Sequence, residues 1–158
     1  MIIIGIDPGL SGAVAILDTR ANYFTVHDMP VFELKRNGKA KREVNGPELA
    51  RLVSEAGADI AVVEAVGAMP GQGVSSVFAF GKGFGIALGV LAGRIRTEMV
   101  PPATWKKAMG LSGLGKDASR AIVTKLYPSE AKQFARVKDD GRAEAVLIAL
   151  YGAKHFTF

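Results

Sequence analysis

The sequence predicts a mixed α/β fold in which a five-stranded sheet is flanked by helices. Three segments of strand length and strand character come first along the chain. After them, helical periodicity alternates with two further apolar runs, an order typical of a sheet covered by helices. The 158 residues are 49% hydrophobic and 22% charged, the composition of an ordinary folded domain. We therefore expect a single domain over residues 1–158.

The five predicted strands are bounded by glycine, proline or other turn residues. The first two should fold back on each other as a hairpin, because Pro8-Gly9 and Ser11-Gly12 between them are turn chemistry. The short isoleucine-rich run that opens the chain is typical of a buried strand. In chain order the predicted strands cover residues 2–7, 13–17, 22–29, 58–64 and 95–100.

Helices are predicted where apolar residues recur at helical spacing. The clearest beginning is at Asn45, which can cap a helix over residues 46–56 with Pro47 in its first turn. The second helix is unusually rich in glycine, which indicates close packing against another helix or backbone. The remaining predicted helices cover residues 75–93, 103–109, 117–126 and 140–151.

Composition excludes several classes of site. The chain has no cysteine and two histidines, so thiolate nucleophiles, disulfides and zinc sites built on cysteine or histidine are excluded. A bound metal would depend on carboxylates, which favours magnesium, with manganese as a substitute. No segment approaches a run of about 18 uninterrupted apolar residues, and the amino terminus lacks the basic start of a signal peptide. We expect a cytoplasmic protein with no membrane partner.

The net charge of +5 is concentrated in a few segments. Residues 35–42 (KRNGKAKR) hold five bases and no acid, and they read as a loop. Such a run is often only a solvated surface. A second basic segment later in the chain favours contact with a nucleic-acid backbone. The predicted phosphate contacts are Lys35, Arg36, Lys39, Lys41, Arg42, Lys106, Lys107 and Lys116.

Acidic residues end two of the predicted strands. Asp7 could simply begin the turn that follows it, a role that aspartate fills well. Glu64 has no such explanation, because glutamate is a poor turn former. Asp140 and Glu144 lie four apart and share a helix face; they could serve only the helix dipole, but like charges at this spacing repel unless a cation lies between them. Together with the neighbouring Asp139, these acids could converge on one or two magnesium ions for phosphodiester cleavage.

Basic and aromatic side chains could complete such a site. Lys107 and Lys116 are candidates to neutralise a scissile phosphate, although both could be ordinary surface lysines. Phe78, Phe80 and Trp105 could stack on bases, but core packing is the more frequent role of aromatics at helical spacing, above all for Trp105.

These motifs resemble those of the RuvC-like Holliday junction resolvases, in particular the compact bacteriophage versions. Residues 4–13 (IGIDPGLSGA) are similar to the first motif of that family, and residues 62–64 (VVE) to the second. Residues 138–145 (KDDGRAEA) are similar to the last motif, and residues 100–107 (VPPATWKK) to its basic connection. The last two acids lie four apart rather than the usual three, which leaves Asp139 and Asp140 competing for one position.

The resemblance implies a ribonuclease H-like fold, a homodimer and magnesium-dependent cutting of branched DNA. It assigns Asp7, Glu64, Asp140 and Glu144 as metal ligands and Lys116 to the scissile phosphate. Two alternatives stay open: a ribonuclease H-like nuclease acting on RNA–DNA hybrids, and a junction-binding module without catalysis. No nucleotide cofactor is expected, because the related ATPases need two such domains to enclose a nucleotide.

Overall fold

The computed structural model describes residues 1–156, apart from the side chains of Arg36 and Lys39. The strands are β1 Ile2–Asp7, β2 Ala13–Asp18, β3 Tyr23–Asp28, β4 Val31–Arg36, β5 Lys39–Val44, β6 Ile60–Glu64 and β7 Arg96–Val100. The α-helices are α1 Gly46–Ala56, α2 Val74–Leu91, α3 Pro102–Ala108, α4 Ala118–Leu126 and α5 Asp140–His155. Two short 3₁₀ helices, Pro128–Phe134 and Val137–Asp139, lie between α4 and α5.

Five strands form one mixed sheet in the order β3-β2-β1-β6-β7. The first three strands pair antiparallel, while β6 runs parallel to β1 and β7 runs parallel to β6. The predicted five-stranded mixed sheet is therefore confirmed. Because β1, β6 and β7 are parallel, their carboxyl ends lie at one edge of the sheet, and Asp7, Glu64 and Val100 are their last residues.

The basic segment is not the loop that the sequence predicted. β4 and β5 pair as a separate antiparallel hairpin, with Val31 opposite Val44 and Lys35 opposite Ala40. Asn37 and Gly38 make its two-residue turn with φ values of 51° and 73°. An Asn-Gly turn with both φ values positive matches the twist of a tight hairpin, and this signal outweighs the polar composition.

The helices cover both faces of the sheet because its residues alternate between two apolar clusters. α5 packs over the face that carries Ile3 and Ala15, whereas α1 and α2 cover the face that carries Ile4 and Val14. The predicted cap of α1 is confirmed, since Asn45 Oδ1 accepts a hydrogen bond from the Glu48 N–H at 3.1 Å. α5 is buried along most of its length, which fixes its position over β1.

α2 is the least covered element for its apolar content. It spans 18 residues, yet only 22% of it is buried, and Val74 and Phe78 are 87% and 72% exposed. By length and composition alone it is long and apolar enough to cross a membrane, although two serines and Lys82 interrupt its apolar residues. Its partial contact with the sheet places it in the folded domain, with an apolar face left open.

Candidate active site

Asp7 ends the central strand β1, and the turn that follows packs tightly around it. The Gly9 N–H donates to Asp7 Oδ1 at 3.3 Å. A Cβ at Gly12 would lie 2.2 Å from the Asp7 carbonyl oxygen, so only glycine fits at that point of the turn. Burial raises the pKa of Asp7 to about 7, opposed by the Gly9 hydrogen bond and by Lys106 and increased by the charges of Glu144 and Glu64.

Glu64 ends the neighbouring strand β6 and is held by a buried indole. Its carboxylate is almost entirely covered, and the Trp105 Nε1–H donates to Glu64 Oε1 at 3.0 Å. Burial raises the pKa of Glu64, the indole hydrogen bond and Lys106 lower it, and the charge of Glu144 raises it further. Both strand-end acids are thus less acidic than usual when no added cation is near.

The start of α5 lies directly against the turn after Asp7. A Cβ at Gly141 would lie 2.5 Å from the Ser11 carbonyl oxygen and 3.0 Å from Asp7 Oδ2. This close approach is possible only for glycine, and it brings the first turns of α5 beside the strand ends. Glu144 projects from the second turn of α5 into the same region, where its charge acts on both Asp7 and Glu64.

Lys106 is the lysine within this acidic group. Its Nζ lies 2.9 Å from Glu144 Oε1 and 5.1 Å from the centre of the Trp105 ring. Burial alone would lower the pKa of Lys106, but Glu144, Glu64 and Asp7 outweigh that effect and raise it. From sequence, Lys106 was predicted only as a DNA contact. Lys106 lies on the helix that directly follows the carboxyl end of β7, and this position in the sequence was the signal for a role in the site.

The structure separates the two adjacent aspartates. Asp140 lines an open cleft together with Lys106, Lys116 and Glu144, and its Oδ1 accepts from Arg120 Nε at 2.5 Å. Asp139 faces another cleft and pairs with Arg136, which donates to it from the backbone at 2.9 Å and from Nη2 at 2.8 Å. That pairing lowers the pKa of Asp139. Asp140, and not Asp139, therefore shares a cleft with Glu144.

The other predicted basic residues lie at varying distances from the acids. Lys116 is exposed at the rim of the cleft that Asp140 and Glu144 line, whereas Lys107 borders a shallow groove with Ala103 and Thr104. Lys35 and Lys41 are exposed on the hairpin. The side chains of the remaining two predicted hairpin contacts lie outside the described part of the structure: Arg36 and Lys39.

Arg42 connects the hairpin to the turn beside Asp7. Its Nη2 donates to the Leu10 carbonyl oxygen at 3.2 Å. Of the aromatic residues predicted to stack on bases, Trp105 is fully buried and Phe78 is exposed on α2. The basic hairpin, the turn and the carboxylates are therefore continuous along one edge of the molecule.

The acidic side chains at this edge of the sheet offer oxygen atoms as ligands for a cation. Three carboxylates, from Asp7, Glu64 and Glu144, influence one another electrostatically, and carboxylate oxygens are the ligands that magnesium and manganese prefer. Within residues 1–156, no three acidic or histidine side chains are arranged closely enough to hold an ion as they stand. Glu144 is turned to Lys106 instead, so cation binding would require that ion pair to open.

Comparisons with solved structures cover nearly the whole chain. RuvC from Thermus thermophilus, solved in complex with a Holliday junction substrate, matches with a TM-score of 0.64 and 12% identity over 98% of this chain and 96% of that one. A second Thermus thermophilus RuvC structure matches with a TM-score of 0.59 and 14% identity over the same shares. The fold is that of RuvC. It is a ribonuclease H-like fold, as the motifs predicted.

Two further similarities extend the resemblance. The fowlpox virus Holliday junction resolvase matches this RuvC-like fold with a TM-score of 0.50 and 18% identity over 99% of this chain and all of that one. In sequence, the chloroplast Holliday junction resolvase MOC1 of Chlamydomonas reinhardtii is 35% identical over 91 residues, or 56% of this chain. The chain spans only 10% of that relative's length. No protein-family model matches the sequence. The predicted resemblance to the RuvC-like resolvases is confirmed.

Proposed function

We propose that this chain is an endonuclease that resolves four-way and other branched DNA junctions by divalent-metal-dependent hydrolysis, with residues 1–158 acting as one nuclease domain. The observation that carries the proposal is the meeting of acids from β1, β6 and α5 at one edge of a RuvC-like fold. Lys106 supplies a single positive charge against the three carboxylates of Asp7, Glu64 and Glu144.

The donor set fits magnesium. Asp7, Glu64 and Glu144, joined by Asp140 from the first turn of α5, would hold it. Asp139 is a poorer candidate because Arg136 donates to both of its carboxylate oxygens, whereas Arg120 donates to Oδ1 of Asp140. Two bound magnesium ions would activate the attacking water and stabilise the leaving 3′-oxygen, which leaves a 5′-phosphate on the product.

The protein's own side chains would prepare the site for a phosphate. Lys106 balances the charge of Glu144 and, once released, would face the incoming phosphodiester. Lys116 at the rim of the same cleft would contact the scissile phosphate from the solvent side. Gly12 and Gly141 allow the turn and α5 to lie in contact, so that Asp7 and Glu144 keep a fixed position relative to each other.

DNA would bind along the edge that carries the basic residues. The hairpin β4–β5 projects exposed Lys35 and Lys41, and Arg42 joins it to the turn after Asp7. Contacts of this type are made to phosphates, so they position the DNA without reading its sequence. A protein that cuts DNA works where DNA is present, so we place it in the cytoplasm, that of the bacterial host if the source is a virus.

The exposed face of α2 would bind a second copy of the chain, so that two sites act on opposing strands of a junction. Exposed apolar residues on a folded domain mark interaction surfaces when they are contiguous. On α2, Val74 and Phe78 are exposed, and a Cβ at Gly81, Gly85 or Gly89 would meet no described atom within 4 Å. This stripe would let two α2 helices approach closely.

The decisive experiment is a nicking assay on a synthetic four-way junction, with wild type and Asp7→Asn compared in magnesium and in EDTA. We expect paired nicks that need magnesium and that disappear in the variant, while junction binding persists. Tight binding without cutting in magnesium or manganese would favour the junction-binding module. Cleavage of an RNA–DNA hybrid in place of the junction would keep the site and change the substrate.

The dimer is tested separately by analytical ultracentrifugation of wild type, Gly85→Glu and Lys125→Glu. Gly85 lies on the open stripe of α2, and Lys125 is exposed on α4 at the other face of the sheet. We expect a dimer for wild type and Lys125→Glu and a monomer for Gly85→Glu. A wild-type monomer at micromolar concentration, with or without junction DNA, would contradict the proposed interface.

A further inference from the structure

The single tryptophan of the chain donates a hydrogen bond to one of the carboxylates of the site. Trp105 lies on α3 and is fully buried, and an indole N–H can donate a hydrogen bond but not accept one. Its acceptor is Glu64 Oε1 at 3.0 Å, within a region where both groups are shielded from water. A donor of this kind fixes the orientation of the carboxylate and leaves Oε2 as the oxygen without this contact.

The sheet explains why the indole reaches that carboxylate. Glu64 pairs with Val100 at the last position of the β6–β7 ladder, and the Ala65 N–H donates to the Val100 carbonyl oxygen at 2.9 Å. α3 begins two residues later, at Pro102, so its first turns lie at the edge where Glu64 ends. The strand pairing therefore sets the distance between Trp105 and Glu64.

The same indole also contacts the lysine of the site. Lys106 Nζ lies 5.1 Å from the centre of the Trp105 ring, and this ammonium pairs with Glu144 at 2.9 Å. One buried side chain thus orients Glu64 through its N–H and supports Lys106 through its ring face. A phenylalanine ring could fill the same space in the core, but it would offer no N–H to Glu64.

We propose that Trp105 is a positioning residue that orients the Glu64 carboxylate for divalent-metal binding through its indole N–H. The proposal rests on the proposed metal-dependent function. Hydrogen bonds to a metal-ligating carboxylate fix its geometry, and their loss typically weakens metal binding 10- to 100-fold. Trp105 does not touch substrate in this role; it acts through Glu64.

The test uses metal binding by the full chain without DNA, so that it is independent of cutting. Because the chain has one tryptophan, biosynthetic incorporation of benzothienylalanine replaces only the Trp105 indole with benzothiophene, which keeps the ring shape and removes the N–H. Binding of Mn2+ is measured by electron paramagnetic resonance of the free ion. We expect the replacement to raise the Kd for Mn2+ about 10-fold, and we expect Trp105→Phe to raise the same Kd at least as much.

A matched control separates positioning from packing. Phe134 is equally buried in the apolar cluster beneath α5, where its ring packs against Phe24, so Phe134→Leu should lose stability and leave the Mn2+ Kd within about two-fold of wild type. In wild type, the indole ¹⁵N–¹H resonance should shift with added Mg2+. An unchanged Kd after benzothiophene replacement, an equal rise in Phe134→Leu, or an indole resonance that stays fixed would each overturn the proposal.

The outcomes distinguish this inference from the function on which it rests. Weakened Mn2+ binding in a protein that does not cut junctions would support the role of Trp105 and reject the proposed resolvase. Normal Mn2+ binding by the benzothiophene protein, with junction cutting intact, would reject only the role of Trp105. Absence of Mn2+ binding by wild type at millimolar metal would overturn this inference directly.

Discussion

Helices α5 and α2 cover opposite faces of one sheet, and glycine has opposite uses on the two sides. On the α5 side, a Cβ at Gly5 of β1 would lie 2.2 Å from the Ala145 carbonyl oxygen, and one at Gly141 would collide with the turn after Asp7. On α2, Gly81, Gly85 and Gly89 have open space around them. The first set is needed inside the molecule to assemble the acids, whereas the second is free to meet another surface.

This difference separates the chemistry of the protein from its contacts with other molecules. On the α5 side, the helix is buried along most of its length and lies against the backbone of β1 and of the turn after Asp7, which suits residues that must be held in a fixed arrangement. The side that carries α2 and the β4–β5 hairpin is exposed, apolar in one part and basic in another. Substitutions on the two sides should therefore have different consequences.

The largest contrast is expected between Gly5→Ala and Gly85→Ala. The methyl group at Gly5 must displace the backbone of α5, and overpacking of this kind should lower the free energy of unfolding by about 3 kcal/mol. The same change at Gly85 adds a helix former in open space and should raise it by up to about 1 kcal/mol. Urea unfolding of both variants at low protein concentration measures the contrast. Equal effects would remove the distinction between the two glycine sets.

The second prediction compares two adjacent lysines of α3. Lys106→Gln removes the ammonium beside Glu144 and should lower the single-turnover cutting rate about 100-fold, as expected for loss of a group that stabilises developing charge. Lys107→Gln, on an exposed position away from the acids, should change that rate by less than about three-fold. A larger loss in Lys107→Gln would show that the phosphate approaches from the other side of α3.

The third prediction concerns the pH dependence of stability without metal. The pKa of Asp7 is about 7 in the folded state and 3.8 as its ordinary value, so the folded protein binds the extra proton between those pH values. Its contribution to stability is therefore lost as pH rises from about 4 to 7. Asp7→Asn lacks this loss, so between pH 4 and pH 8 its free energy of unfolding should rise by about 4 kcal/mol relative to that of wild type.

Urea titrations in EDTA at several pH values test this expectation. Magnesium should reduce the difference between the two proteins at pH 8, because a cation compensates the buried charge. A difference that stays constant from pH 4 to pH 8 would mean that Asp7 titrates normally and that burial is not its dominant influence.

The smallest expected effect lies on the hairpin. Lys41→Ala should make the plot of log affinity against log salt for junction binding shallower by about one unit, as loss of one phosphate contact predicts. Lys125→Ala on α4 removes an exposed lysine from the α5 side and should leave the slope unchanged. Similar slopes for both variants would place the DNA away from the hairpin.

Local sequence signals were sufficient for most of the fold. The apolar runs located all five strands of the main sheet, and Asn45 located the start of α1. They failed for residues 35–42, which were predicted as a loop from their basic composition alone, without the hairpin signal of the Asn-Gly turn. From sequence, Asp7 and Glu64 could be placed at the ends of two buried strands; the parallel pairing of those strands, which brings both ends to one edge, is seen in the structure.

The sequence by itself determined the sheet, the oxygen-donor character of the site and the basic charge of its surroundings, because each follows from residue type and short-range periodicity. Only the tertiary structure decided that Lys106 rather than Lys107 lies among the acids, that Asp139 pairs with Arg136, and that the indole of Trp105 holds Glu64. These choices depend on which way a side chain turns from its helix. That direction is set by the packing of α3 and α5 against the sheet, which residues far apart in the chain determine together.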